Sequence, residues 1–321
     1  EKIKSGTRDY VRYFNNNSVD PSKFYPLEQV LNYITDDGKR QRTNDGKLVS
    51  VYPAKKYSLD VDKQAILDMD FLPARDTGKI VDKMYWNIGR NGLSKGDLIV
   101  LDIISTNAKT GWKRPIYWTT TTGSSVYLGL QKYLRNNGLT YQLLPVEANT
   151  RMRGMDDMDL LQDKLMNVYE WGNMEKGEMF LDDKAQLVPK NLRSLFIQVA
   201  DFKSRRNEVD TAAALLDKCF ASMPESLLPM NLRLKAAAAD IYYRADQIEK
   251  ADKVLQEVGD DAFDLVNYYD KFKTKGIQSA SGDRNENAEV LKNVGLLANR
   301  YERTELGEKY TELYNQIKTA Y

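Results

Sequence analysis

The feature that most constrains this chain is a set of small residues recurring at one interval in its second half. Ala200 and Ala239 are 39 positions apart, and so are Ala212 and Ala251. Small side chains let the two helices of a hairpin approach closely, and each hairpin then buries its remaining apolar face on its neighbour. In the first copy the packing residues are Phe196, Val199, Ala200, Ala212, Leu216 and Cys219, with Pro224 after the second helix. In the second they are Ala238, Ala239, Tyr242, Ala251, Leu255 and Val258, and a third copy uses Leu291, Val294, Gly295, Ala298, Gly307 and Tyr314. The pattern is that of a tetratricopeptide-like array whose unit is slightly longer than the usual repeat of about 34 residues. Before it, Met158, Leu161, Leu165 and Val168 predict one apolar helical stripe, and a further helix is predicted over about residues 189–203.

The 321 residues suggest two domains. We divide them as 1–150, of α/β type, and 151–321, an all-α helical-repeat domain. In the first, Pro26 opens a helix with Leu27, Val30, Leu31 and Ile34 on one face, stopped by Asp36-Asp37-Gly38. Val49, Val51, Tyr57, Leu59 and Val61 alternate as strand residues do. Asp60 to Lys63 starts a short helix, and Ser94 with Asp97 caps a longer one running to about Asn107. Arg114 to Thr119 reads as a strand and Gly123-Ser124-Ser125 as the start of a helix bearing Leu128, Leu130, Tyr133 and Leu134. Leu139 to Leu144 then reads as a second strand. This strand–helix–strand unit predicts a parallel pair with a right-handed crossover.

Composition narrows the chemistry. There is no histidine, which removes Ser-His-Asp and Cys-His triads and any His-liganded metal site. The single cysteine, Cys219, rules out an intrachain disulfide and a Cys-based zinc site. The net charge is +1, so no field attracts a nucleic acid backbone. No apolar run approaches the roughly 18–20 residues that cross a bilayer, since the richest, Leu98 to Ile104, is interrupted by Asp102. Glu1-Lys2-Ile3-Lys4 is not a signal peptide, and the chain is expected to be a mature protein or a piece of a larger one. No cofactor, metal site or catalytic residue is expected.

Candidate sites compete with plainer readings. Thr119 to Ser125 could offer free backbone N–H groups to an anion at a helix N-terminus, with Ser124 as a contact, but a capping loop is the stronger reading. Trp112, Lys113 and Arg114 could stack on a sugar or hold an anion, though such residues more often cover a sheet edge. Asp156, Asp157 and Asp159, like Asp182 and Asp183, lack the alternation of a calcium loop and read as acids of a first helical turn. Asp201 and Arg205 recur 39 positions later as Asp240 and Arg244. Each pair is either an intrahelical ion pair or part of a partner-binding face shared with Arg233 and Tyr243.

Gly6 to Tyr10, Leu98 to Asn107, Trp112 to Tyr117, Tyr127 to Val146, Trp171-Gly172-Asn173 and Phe180 to Asp183 occur in an order that resembles a known family. The chain is similar to the C-terminal half of the Bacteroidetes membrane proteins called domain of unknown function 2723. That family resembles glycosyltransferase family 117 and the plexin O-mannosyltransferase. Trp118 stands where the family usually has Phe. The resemblance implies a polytopic GT-C-like membrane half that carries the sugar chemistry and is absent here, so no catalytic residue carries over. It implies a place on the periplasmic face of the inner membrane, held there only through that half. It also implies a role in positioning a polypeptide or glycan acceptor. The rival expectations are a periplasmic protein–protein scaffold and, last, a carbohydrate-active enzyme built on a carboxylate pair.

Overall fold

The computed structural model describes residues 10–15, 19–69, 72, 74–146, 157–273 and 278–319. The Gly6 to Asp9 segment, Asn16, Asn17 and Asp156 fall outside them. Two compact units are present, Glu1–Asp157 and Met158–Tyr321, and each has its own hydrophobic core.

The first unit opens with β1 (Tyr10–Tyr13) and β2 (Tyr25–Pro26), which runs directly into α1 (Leu27–Thr35). Pro26 holds φ at −52° at the helix start, and Leu27, Val30 and Ile34 form the buried stripe. A hairpin of β3 (Gln41–Arg42) and β4 (Leu48–Val49) turns at Asn44-Asp45-Gly46, where Gly46 takes φ +80°. Then come β5 (Val51–Tyr52), β6 (Lys56–Asp60) and α2 (Lys63–Asp68), the last capped by Asp62 through the Ala65 N–H. β7 (Lys83–Asn87) and β8 (Gly92–Ser94) lead to α3 (Lys95–Lys109). The start of α3 is a full capping box: the Asp97 N–H donates to Ser94 Oγ (3.1 Å) and the Ser94 N–H to Asp97 Oδ2 (2.8 Å). Leu98, Leu101 and Ile104 face the core, while Ile103 is exposed.

Parallel pairs do form here, β1 with β5 and β2 with β6. The crossover expected between residues 116 and 144 does not. Its strands, β9 (Tyr117–Thr119), β10 (Leu134–Asn136) and β11 (Thr140–Leu143), make one antiparallel sheet of order β10-β11-β9. The expected helix is reduced to two 3-10 turns, Ser124–Tyr127 and Gln131–Tyr133. Leu128 (φ +53°) and Gly129 (φ +85°) separate them in left-handed backbone, which no α-helix can pass through. A Cβ on Gly129 would overlap the Asn87 carbonyl, so the chain turns here because β7 lies against it.

The second unit begins with α4 (Met158–Asp163), continued by a π-helical turn over Lys164–Val168. The wider turn rotates the register, so Met158, Leu161 and Leu165 are buried but Val168 is 57% exposed, outside the stripe it was expected to join. Asp182 and Asp183 lie before the next helix rather than in its first turn, with Asp182 capping the turn through the Ala185 N–H (2.7 Å). Three helical hairpins follow: α5 (Leu187–Arg205) with α6 (Val209–Ser222), α7 (Leu232–Arg244) with α8 (Ile248–Lys273), and α9 (Gln278–Arg300) with α10 (Thr304–Thr319). Each hairpin turns on one left-handed residue, Asn207, Asp246 or Glu302.

These turns are 39 and then 56 positions apart, because α8 and α9 are longer than their counterparts. In that register Ala200, Ala239 and Gly295 correspond, as do Ala212, Ala251 and Gly307. All six are buried. Gly259 of α8 is packed against the fully buried ring of Tyr310, leaving no room for a methyl group, whereas Gly282 of α9 has open space around it. Gly259→Ala is therefore expected to destabilise the second unit by about 1–3 kcal/mol, an overpacking cost. Gly282→Ala should stabilise it by about 0.5–1 kcal/mol through helix propensity alone. Thermal melts of the two variants check both signs.

Candidate functional site

The recurring Asp and Arg residues form a continuous ladder along the second unit. Asp201 accepts from Arg205 of its own helix (2.8 Å) and from Arg244 of the next hairpin (2.7 Å). Asp240 repeats the arrangement, pairing with Arg244 (3.2 Å) and with Arg300 of the third hairpin (3.7 Å), and it also accepts from the Tyr301 hydroxyl (2.9 Å). Arg205, Arg244 and Arg300 occupy equivalent positions in the three hairpins, so each carboxylate ties one repeat to the next. The position after Asp201 and Asp240 in this register is Leu296, which is exposed, and the ladder ends there.

Tyr243 is the candidate that the structure corrects most plainly. It is 4% exposed, stacked on Tyr301 with ring centroids 4.5 Å apart, and donates to Asp252 Oδ1 (2.7 Å). Burial first, then that bond, holds its phenol above the usual range. Asp252 is also gripped in bidentate fashion by Arg303 (3.0 and 2.7 Å). Tyr243 is thus part of a packed joint between the second and third hairpins and presents no free face. Arg233 does not share the ladder with it. It pairs with Glu286 of α9 (3.3 Å) at the rim of a separate groove. That groove has a volume of about 1050 Å³ and lies among α7, α8 and α9, with Met230, Leu232, Lys235, Glu257 and Asp261 among its lining residues.

In the first unit, Trp112 sits in left-handed backbone (φ +55°) with its ring 3% exposed in the core, so it cannot stack on a sugar. The sequence shows Trp112 beside two cations but not that the turn after α3 folds it inward. Arg114 is exposed and fixed through its backbone, the Asn107 side chain bonding both its N–H (3.1 Å) and its carbonyl (2.7 Å). Ser124 is exposed at the start of a four-residue 3-10 turn, too short to carry the helix N-terminus that an anion would need. Among the described residues no group of three His, Cys, Asp or Glu side chains is placed to hold a metal, and no helix is long and apolar enough to cross a membrane.

Sequence reasoning missed the buried cations. Lys203, buried at the end of α5, bonds both Asp159 (2.7 Å) and Glu208 (2.9 Å). Burial works against its charge, and the two carboxylates outweigh that and raise its pKa. Arg193, 2% exposed, donates to the backbone carbonyls of Met223 and Leu228, fixing the segment between α6 and α7. Lys235 is likewise buried and bonded to Glu225 (3.2 Å) and Glu257 (2.8 Å). No periodic signal marks these residues, because apolar neighbours occupy the matching positions of other repeats.

The architecture defines a class: an assembly of small sheets and short helices followed by a helical-repeat unit. Residues 1–162 match the family model described as TMEM260-associated domain 2, and the chain belongs to that family. No curated protein and no solved structure matches it.

Two predictions follow from this geometry. A double-mutant cycle on Asp201 and Arg244 should return a coupling of roughly 0.5–1 kcal/mol, the scale of a partly exposed pair, read by denaturant unfolding. Cys219 is fully buried, and burial pushes its thiol up to about 12. At pH 8 the folded chain should therefore carry almost no thiolate at this site, and alkylation should proceed only as fast as the second unit opens. Mass spectrometry with and without urea measures this directly.

Proposed function

We propose that the chain is a non-catalytic, extracytoplasmic part of a membrane glycosyltransferase, acting to position a polypeptide or glycan acceptor. In this reading the sugar chemistry belongs to a GT-C-like membrane half outside the present sequence. The fragment lies on the periplasmic face of the inner membrane. The observation that carries the reading is the match of residues 1–162 to a TMEM260-associated domain. It fits the resemblance to the domain of unknown function 2723, to glycosyltransferase family 117 and to the plexin O-mannosyltransferase. The groove among α7, α8 and α9 supplies a surface of the size that a polypeptide segment requires.

A second reading, a protein–protein scaffold in the periplasm, is favoured by one fact. The family match stops at residue 162, and almost all of the repeat unit lies beyond it. The two readings separate in a strain lacking the full-length protein. It is complemented either with that protein or with a version lacking residues 158–321, and glycan transfer to endogenous periplasmic proteins is followed by mass spectrometry. Transfer that returns only with the repeat unit is the expected result. Equal transfer from both versions would leave the repeat unit to a different partner and put the scaffold reading first. Transfer from neither would remove the glycosyltransferase assignment itself.

A further inference from the structure

The groove among α7, α8 and α9 has a charge pattern that the repeat does not require. Six carboxylates line it, from Glu225, Glu257, Asp260, Asp261, Asp264 and Glu286, against two cations, Arg233 and Lys235. Four of the six are already engaged. Glu225 and Glu257 hold the buried Lys235, Glu286 pairs with Arg233, and Asp260 accepts from Lys309 (2.8 Å) and Tyr310 (2.9 Å). Asp261 and Asp264 remain, one helical turn apart on α8, exposed and without an ion-pair partner among the described residues. Asp261 carries the cost of this crowding. Though its side chain reaches solvent, the groove walls partly desolvate its carboxyl, and this, with the charges of Glu225, Glu257 and Asp264, raises its pKa against the opposing pull of Lys235.

Apolar groups complete the surface. Leu232 of α7, Leu265 and the half-exposed Tyr268 of α8, and Val290 of α9 line the same groove. Unpaired negative charge beside an apolar floor is complementary to a segment carrying both cationic and apolar side chains. A lone divalent cation has no use for the apolar half, and an acidic or neutral chain would leave both aspartates uncompensated.

We propose that this groove docks a basic amphipathic polypeptide segment of a partner protein, with Lys or Arg side chains seated on Asp261 and Asp264 and an apolar side chain against Leu232, Leu265 and Val290. The proposal deepens the acceptor-positioning reading, on which it rests, by naming the chemical class of polypeptide that is held.

The test uses the 321-residue chain and fluorescein-labelled 15-residue peptides with Lys at i and i+3 beside a Leu–Phe anchor. Control peptides carry Glu at the Lys positions or Ser at the anchor. Fluorescence anisotropy should show saturable binding of the first peptide only, weakening several-fold between 50 and 300 mM salt. The double variant D261N/D264N should lose at least tenfold in affinity. Arg205→Ala, remote from the groove, should not change it. Among the described residues neither aspartate makes an ion pair, and neutralising Asp261 relieves its crowding, so the double variant is expected to keep or slightly raise its melting temperature, which a thermal scan verifies. Equal binding of the Lys and Glu peptides overturns the proposal, as does binding unchanged in D261N/D264N. A self-associated chain in sedimentation velocity whose dimer is lost in D261N/D264N also overturns it, because the occupant is then a second copy. Peptide binding with no dependence of glycan transfer on residues 158–321 would sink the acceptor-positioning reading and leave the groove assignment standing.

Discussion

Everything in the second unit depends on how closely the two helices of each hairpin approach. At the crossing points only Ala or Gly is present: Ala200 and Ala212, Ala239 and Ala251, Gly295 and Gly307. The last pair leaves no room for a side chain. A Cβ on Gly295 would lie 2.9 Å from Thr311 Oγ1, and one on Gly307 would overlap the Asn299 side chain. Close approach brings the large residues on either side, such as Phe196, Leu216 and Leu255, into full burial. It also fixes the rotation of each helix, and with it the direction in which every polar residue points.

The ion-pair ladder is a consequence of that geometry. Once the hairpins stack at a set spacing, an Asp on the first helix of one hairpin reaches both its own i+4 Arg and the equivalent Arg of the next. The partly exposed setting makes each pair weak by itself. Its contribution is to register, since sliding the middle hairpin along its two neighbours would separate Asp201 from Arg244 and Asp240 from Arg300 together. The buried Lys203 and Lys235 differ in kind, because removing both partners from either would strand a charge away from water. They join segments that the repeat alone leaves unconnected: α4 to α5 in one case, and the segment before α7 to α8 in the other.

The sequence made the repeats legible because small residues at fixed spacing have one economical explanation. The third copy was readable despite its interval of 56 because Gly295 and Gly307 keep the same separation within the hairpin as Ala239 and Ala251. The capping box of α3 was readable for a similar reason, since Ser94 and Asp97 are local signals that need no distant partner. What failed was non-local. Leu128 to Leu134 has good helix formers, yet the helix is broken by the demand that Gly129 pass beside the Asn87 backbone, 42 positions away in sequence. Val168 left its stripe because a π turn adds a residue that periodicity cannot foresee. Trp112 stands beside Lys113 and Arg114, and Tyr243 beside Arg244 of the ladder, but each ring is buried by packing against segments distant in sequence, which local pattern does not show.

Repetition is therefore a guide to what holds this unit together and a poor guide to what it does. Asp201, Arg205, Asp240 and Arg244 stand out because they recur, and Asp201, Asp240 and Arg244 sit at the joints between hairpins. The residues with charge left uncompensated are found where the repeat is broken. In the 39-residue register, α6 ends at the position equivalent to Asp261. Asp264, Leu265 and Tyr268 lie on the part of α8 that extends past that point, with no helical counterpart in the first hairpin. The extension of α8 buries Ala262 and Val266 in the core and leaves Asp264 and Tyr268 exposed. The irregular interval, which weakens the third repeat as a sequence pattern, is thus the same feature that lengthens the groove and adds Asp264 to the Asp261 at its margin.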